Sequence, residues 1–184
     1  LCGEESAGTG SDHVREKDGL WAVLLWLNIL AETGKSVDAL MADLWKTHGR
    51  CYYSRLDYED VESDKANDMI DTLRGKLGDL AGTSVAGMTI ESADEFAYLD
   101  PVDGSQSAGQ GIRLAFEGGA RAVFRLSGTG TQGATIRIYL EQLVTDADRL
   151  QEAPEAMLSD VRNAALTLSD LTAKTGRDAP DVIT

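Results

Sequence analysis

The segment 125–137, RLSGTGTQGATIR, constrains this chain more than any other stretch. On either side of its glycines, residues 123–126 and 135–140 alternate with period two, the pattern of half-buried strands. Phe124 and Leu126, then Ile136, Ile138 and Leu140, belong to the buried faces. Arg125 and Arg137 therefore point the other way. Gly128, Gly130 and Gly133 permit positive φ, so consecutive amides can turn toward one centre. Ser127, Thr129 and Thr131 add hydroxyl donors. Two guanidinium forks, several N–H groups and no carboxylate within the segment suit an oxyanion such as phosphate. The plainer alternative is a glycine-rich hairpin whose arginines are merely solvated. The segment is not a nucleotide-binding loop, because no Gly-Lys-Ser/Thr follows the glycines and a strand, not a helix, leaves them.

Charge sharpens this reading. The 184 residues carry a formal charge of −14, from 31 acidic and 17 basic side chains. Such an acidic surface excludes nucleic acid and anionic membrane as expected partners. Between Ala120 and Arg137, however, there are three arginines and no acid. A local positive patch on an acidic chain fits a small anion held by specific contacts. Two cysteines, Cys2 and Cys51, cannot form a disulfide framework, and no signal peptide is recognisable, which together predict the cytoplasm. The apolar run 20–30 is too short to span a bilayer. The chain begins Leu1-Cys2-Gly3 without an initiator Met, and reads as a piece of something longer or a processed product.

Helices dominate the first part. Asp18 caps one that passes through Trp21, Leu24, Leu25 and Ile29 and stops near Gly34; apolar on nearly all sides, it is expected to be buried. Ser36 caps a second, with Val37, Leu40, Met41, Leu44 and Trp45 on one stripe, ending at His48-Gly49. A strand is expected over 51–58. A helix follows from Ser63, with Ala66, Met69, Ile70, Leu73 and Leu77 inside and Gly78 as its end. Strands are then expected at 87–91, 95–99, 111–117, 120–126 and 135–141, with a tight turn at 117–120. Pro154 opens a last helix through Met157, Leu158, Val161, Ala164, Ala165, Leu168 and Leu171, stopped by Gly176. The fold class is α+β, an antiparallel sheet with packed helices, preceded by a helical piece.

Two other polar clusters stand out. Residues 3–12, GEESAGTGSD, set carboxylates beside hydroxyls in a glycine-rich loop. Glu4 and Ser6 there suit vicinal sugar hydroxyls, because a carboxylate accepts two hydrogen bonds at once; an acidic mobile terminus is the plain alternative. His13, Arg15 and Lys17 follow. Residues 100–105, DPVDGS, lack the alternating ligands of a calcium loop and read as a turn. The sequence contains no Ser/His/Asp elbow and no Cys/His zinc spacing.

Taken together, GEES at 3–6, SDHVREKDGLW at 11–21, DPVDGS at 100–105, the segment 125–137 and the ending TGRDAPDVIT at 175–184 resemble the C-terminal part of the phosphoglucomutases, of the α-D-phosphohexomutase superfamily. The resemblance runs along essentially the whole chain. It implies that residues 1–50 are the end of a third, sugar-loop domain. Residues 51–184 would then be a C-terminal phosphate-binding domain like the TATA-binding-protein module. It implies that Glu4 and Ser6 hold sugar hydroxyls. Arg125, Ser127, Gly128, Thr129, Gly130, Thr131 and Arg137 would hold the substrate's non-reacting phosphate. Lys17 would lie near the catalytic phosphate. The implied reaction interconverts glucose 1-phosphate and glucose 6-phosphate, with Mg²⁺ and glucose 1,6-bisphosphate as cofactors. Its phosphoserine segment and aspartate-rich metal loop are absent from this sequence, so the chain alone is expected to be inactive. Its expected partners are a hexose phosphate and the remaining N-terminal domains of the same enzyme. A catalytically silent, sugar-phosphate-binding or scaffold relative is the alternative.

Overall fold

The computed structural model describes residues 1–3, 8–12, 17–130 and 133–184, with backbone alone at 129 and 130. The chain divides into two compact units, Leu1–His48 and Gly49–Thr184.

In the first unit, β1 (Cys2–Gly3) and β2 (Thr9–Gly10) form a short antiparallel ribbon. The Asp18 carboxylate caps α1 (Gly19–Thr33), accepting from the amides of Leu20 at 3.0 Å and Trp21 at 3.1 Å. Gly34 ends the helix at φ 63°, where its N–H donates to the Leu30 carbonyl. The hydroxyl of Ser36 accepts from the Ala39 amide and opens α2 (Val37–His48). One expectation fails here. No α1 residue is buried: Leu20, Val23, Leu24, Trp26 and Leu27 are each at least 41% exposed. The described part of this unit offers two two-residue strands and one other helix, too little surface to cover an apolar helix of 15 residues on all sides.

The second unit is built on an antiparallel sheet. Its strands are β3 (Arg50–Val61), β4 (Ser84–Val85), β5 (Met88–Glu95), β8 (Ile112–Phe116), β9 (Ala120–Gly130), β10 (Gly133–Val144) and β11 (Val182–Ile183). A separate two-stranded arm pairs β6 (Tyr98–Leu99) with β7 (Gln106–Ser107). The spatial order is β11-β3-β10-β9-β8-β5-β4. One face carries α3 (Ser63–Leu80), α4 (Pro154–Met157), α5 (Ser159–Ser169) and α6 (Leu171–Thr175). Along β10 every second residue from Ala134 to Leu140 is buried, as are Phe124 and Ala122 on β9 and Leu56 and Tyr58 on β3. These pack against Met69 and Leu73 of α3 and Val161, Ala164 and Ala165 of α5, all buried. Polar residues of the same strands line the opposite face, as period two requires.

Four details differ from the sequence pattern. The helix from Ser63 passes Gly78 and ends at Leu80, because the buried Leu80 continues the apolar stripe and its anchoring outweighs the cost of about 1 kcal/mol for a helical glycine. The strands expected at 87–91 and 95–99 are one strand, β5, plus the β6–β7 arm. Polar Asp94 stays in the ladder opposite Arg113, and its carboxylate bonds that arginine. The last helix is three pieces, broken at Leu158 and at Asp170, which takes φ 51°. Finally, Val182 and Ile183 add an edge strand to β3, opposite Asp57 and Leu56.

Asp170 holds a left-handed conformation without any side-chain capping bond. Such a conformation costs a non-glycine residue about 1 kcal/mol. Asp170→Gly should therefore raise stability by about 0.5–1 kcal/mol, and Asp170→Ala should lower it, in urea denaturation followed by circular dichroism.

Candidate anion site

The ladder between β9 and β10 places Arg125 directly opposite Arg137. The ladder between β10 and β3 places Arg137 directly opposite Asp57. Three charged side chains thus form a row across the helix-free face. Like charges at directly opposed positions, with Cβ atoms about 5 Å apart, destabilise a sheet unless something neutralises them. Ser127 follows on the same face, opposite Thr135, and Gly128 takes φ 68° just after it. Both strands run further into the glycine-rich segment than the pattern suggests, to Gly130 and from Gly133, with a register shift between Gly133 and Thr135.

The other basic groups near the row are occupied. Arg121 pairs with Glu141 across the ladder at 2.6 Å. Arg113 binds Asp94 in a two-bonded fork of 2.7 and 2.6 Å and holds that carboxyl below its ordinary range. Arg74 does the same to Glu95, at 3.0 and 2.8 Å. Arg125 makes no ion pair or hydrogen bond among the described residues. Arg137 lies 3.8 Å from Asp57, too far for a hydrogen bond. The absence of a carboxylate, read from the segment itself, is therefore corrected: β3 brings one in from far along the chain.

Two residues of this site carry no signal of their own in the sequence. Asp57 is one; its neighbours Leu56 and Tyr58 are also buried, so alternation does not single it out. Gly111 is the other. It takes φ 143°, and a Cβ there would lie 2.8 Å from the Phe124 carbonyl oxygen and 2.9 Å from Cγ of Arg125. The missing side chain leaves the space that the stem of Arg125 occupies. A glycine at the start of a strand is a weak pointer to such an approach. Beside Arg125 opens a cleft of about 330 Å³ walled by Arg74, Glu95, Gly111, Ile112, Phe124 and Leu126. Asn67 and Gln110 also line it, and its other cation, Arg74, is already ion-paired to Glu95, so the cleft offers an anion no second free cation.

Glu4, Ser6, His13 and Thr131 lie outside the described residues, as does the side chain of Thr129. Lys17 is exposed immediately before the Asp18 cap. Residues 100–105 form the turn of the β6–β7 arm. There the Asp100 and Asp103 carboxylates accept from the amides of Val102 and Ser105, each at 2.8 Å. Among the described residues no cluster of three His, Cys, Asp or Glu side chains is placed to hold a metal ion.

Residues 50–181 match the family model for the C-terminal domain of phosphoglucomutase-1. Residues 1–48 match the model for the alpha/beta/alpha domain III of phosphoglucomutase/phosphomannomutase. This chain belongs to the phosphoglucomutase family. It is 53% identical over its whole length to a phosphoglucomutase of Rhizobium radiobacter, and 50% identical to human phosphoglucomutase-1. It covers 34% of each of these relatives, so it spans about a third of their length. The open-form crystal structure of parafusin, an exocytosis-sensitive phosphoprotein and phosphoglucomutase of Paramecium, superposes on the whole chain. The TM-score is 0.90 at 46% identity, and the match covers 32% of that chain. The antiparallel sheet with packed helices is thus a phosphoglucomutase fold.

Gly111→Ala should cost the chain about 1–3 kcal/mol of stability, the usual penalty of overpacking against backbone. Urea denaturation measures it. A variant as stable as the parent would show that Arg125 does not need the space.

Proposed function

We propose that this chain is the recognition part of a phosphoglucomutase interconverting glucose 1-phosphate and glucose 6-phosphate. Residues 1–50 are the end of its third domain and residues 51–184 its phosphate-binding domain. The observation that carries this reading is the opposed pair Arg125–Arg137, with no acid between them and an open face before them. A phosphate dianion removes the repulsion between the two guanidinium groups and accepts from both forks. Ser127, Gly128, Thr129, Gly130 and Thr131 add hydroxyl and amide donors along the same turn. Arginine forks read the phosphate group and not the carbon that bears it. One site can thus hold the non-reacting phosphate in either orientation of a hexose phosphate, as the interconversion demands. Glu4 and Ser6 read sugar hydroxyls, since a carboxylate accepts from hydroxyls but repels phosphate. Lys17 lies near the reacting phosphate.

The phosphoserine, Mg²⁺ and glucose 1,6-bisphosphate chemistry belongs to the remaining domains of the enzyme. The exposed apolar surface of α1 supports a reading in which further polypeptide packs on it. Two free, exposed cysteines favour a reducing compartment such as the cytoplasm. The relatives themselves include proteins named cytoplasmic and chloroplastic.

Calorimetry with glucose 1-phosphate tests the site. In the full-length enzyme, Arg137→Ala should weaken binding by about 2 kcal/mol or more, roughly thirtyfold, as expected for a lost charge-assisted bond. Arg137→Lys should not restore it, because lysine lacks the planar fork. Unchanged affinity would overturn the reading.

The 184-residue chain alone should give no turnover in a coupled glucose 6-phosphate assay, even with Mg²⁺ and glucose 1,6-bisphosphate. Phosphoryl transfer needs donor, metal and acceptor held in line. Turnover that vanished with Arg125→Ala would show that the chain carries its own chemistry. Binding without turnover by the intact protein would instead mark a silent, sugar-phosphate-binding relative.

A further inference from the structure

Asp57 lies on the helix-free face of the sheet, yet its side chain is only 5% exposed. A carboxylate so shielded needs polar partners. Its Oδ1 accepts from Nε of Arg55 at 2.9 Å. Its Oδ2 faces Nε of Arg137 at 3.8 Å. That Nε is closed off from solvent and has no hydrogen-bond partner among the described residues. The Arg137 side chain as a whole is nevertheless 39% exposed. The exposure therefore lies elsewhere on the side chain, and an anion arriving from solvent cannot reach Nε. Asp57 is the acceptor set beside it.

We propose that Asp57 is the positioning residue of the anion site: it takes Nε of Arg137 and so turns both Nη groups outward toward the bound phosphate. The 3.8 Å gap closes to a hydrogen bond when the anion draws the guanidinium into its final plane. Arg55 keeps Oδ1 occupied, so Oδ2 is left for Arg137. The arrangement has a cost, because a carboxylate beside an anion site repels the anion. That cost makes the sign of the test informative. If Asp57 only adds negative charge, removing the charge tightens phosphate binding. If it positions Arg137, removing it loosens binding despite the gain in positive potential.

The inference rests on the anion-site reading, and the experiment separates the two. Inorganic phosphate is titrated by calorimetry into the 184-residue chain and its Asp57→Asn, Arg137→Ala and doubly substituted variants, with thermal melts alongside. Asp57→Asn should weaken phosphate binding at least about threefold, within the range of coupled neighbours, and should lose that effect in the Arg137→Ala background. Tighter or unchanged binding in Asp57→Asn overturns the proposal, as does an equal loss in both backgrounds. If the parent chain binds no phosphate, or Arg137→Ala does not weaken it, the anion-site reading itself fails. Should Asp57→Asn not fold, ¹⁵N-arginine NMR of the unsubstituted chain decides, with Arg137→Lys assigning the signal. Phosphate should slow exchange of the Arg137 Nε proton with water. Equally fast exchange with and without phosphate overturns the proposal.

Discussion

The register of β3, β10 and β9 is the constraint on which the rest of this structure depends. A slip of one residue in either ladder would move every side chain to the opposite face. Arg125, Arg137 and Asp57 would then enter the core, and Phe124, Ile136, Ile138 and Leu56 would leave it. Those four apolar side chains are at most 2% exposed. Burying each is worth about 1.5–3 kcal/mol, so the core fixes the register far more firmly than the charged row could disturb it. The repulsion between opposed arginines is thus carried by apolar packing on the other face. The register shift near Gly133 confines irregularity to the end of the ladder, beyond the arginines.

Electrostatics then separates two arginines from the rest. Across the same face Arg121, Arg113 and Arg55 each have a carboxylate partner at hydrogen-bond distance. Arg125 and Arg137 do not, and they face one another. A chain of net charge −14 repels polyanions at long range, while screening beyond about 10 Å leaves a local pair of cations free to act on a small anion.

The two units differ in how they satisfy their apolar residues. The Gly49–Thr184 unit closes a core between one sheet face and its helices, with Leu73, Leu114, Phe124 and Ile138 fully enclosed. Its edge strand β11 returns the chain end to β3, where the amides of Arg55 and Thr184 each donate to the other's carbonyl. The Leu1–His48 unit keeps α1 apolar and exposed. An antiparallel sheet needs one covering layer, whereas a helix apolar on all sides needs neighbours all round.

The sequence by itself determined the local features. Period-two alternation marked the strands around the glycines and sent both arginines to the same side, because side-chain direction in a strand depends only on parity. Asp18, Gly34 and Ser36 marked helix ends, because a cap is made by the residues beside it. Tertiary structure alone decided what lies next to what. Asp57 comes to lie opposite Arg137, and Gly111 makes room for Arg125, only because strands are paired side by side. The edge strand at Val182 and the ladder partner that keeps Asp94 in β5 have the same origin. So does the break at Asp170, where packing of Leu168 and Leu171 on both sides outweighs a strained backbone. None of these has a local cause, since each depends on which backbone the fold brings alongside, and that is settled only when the core closes.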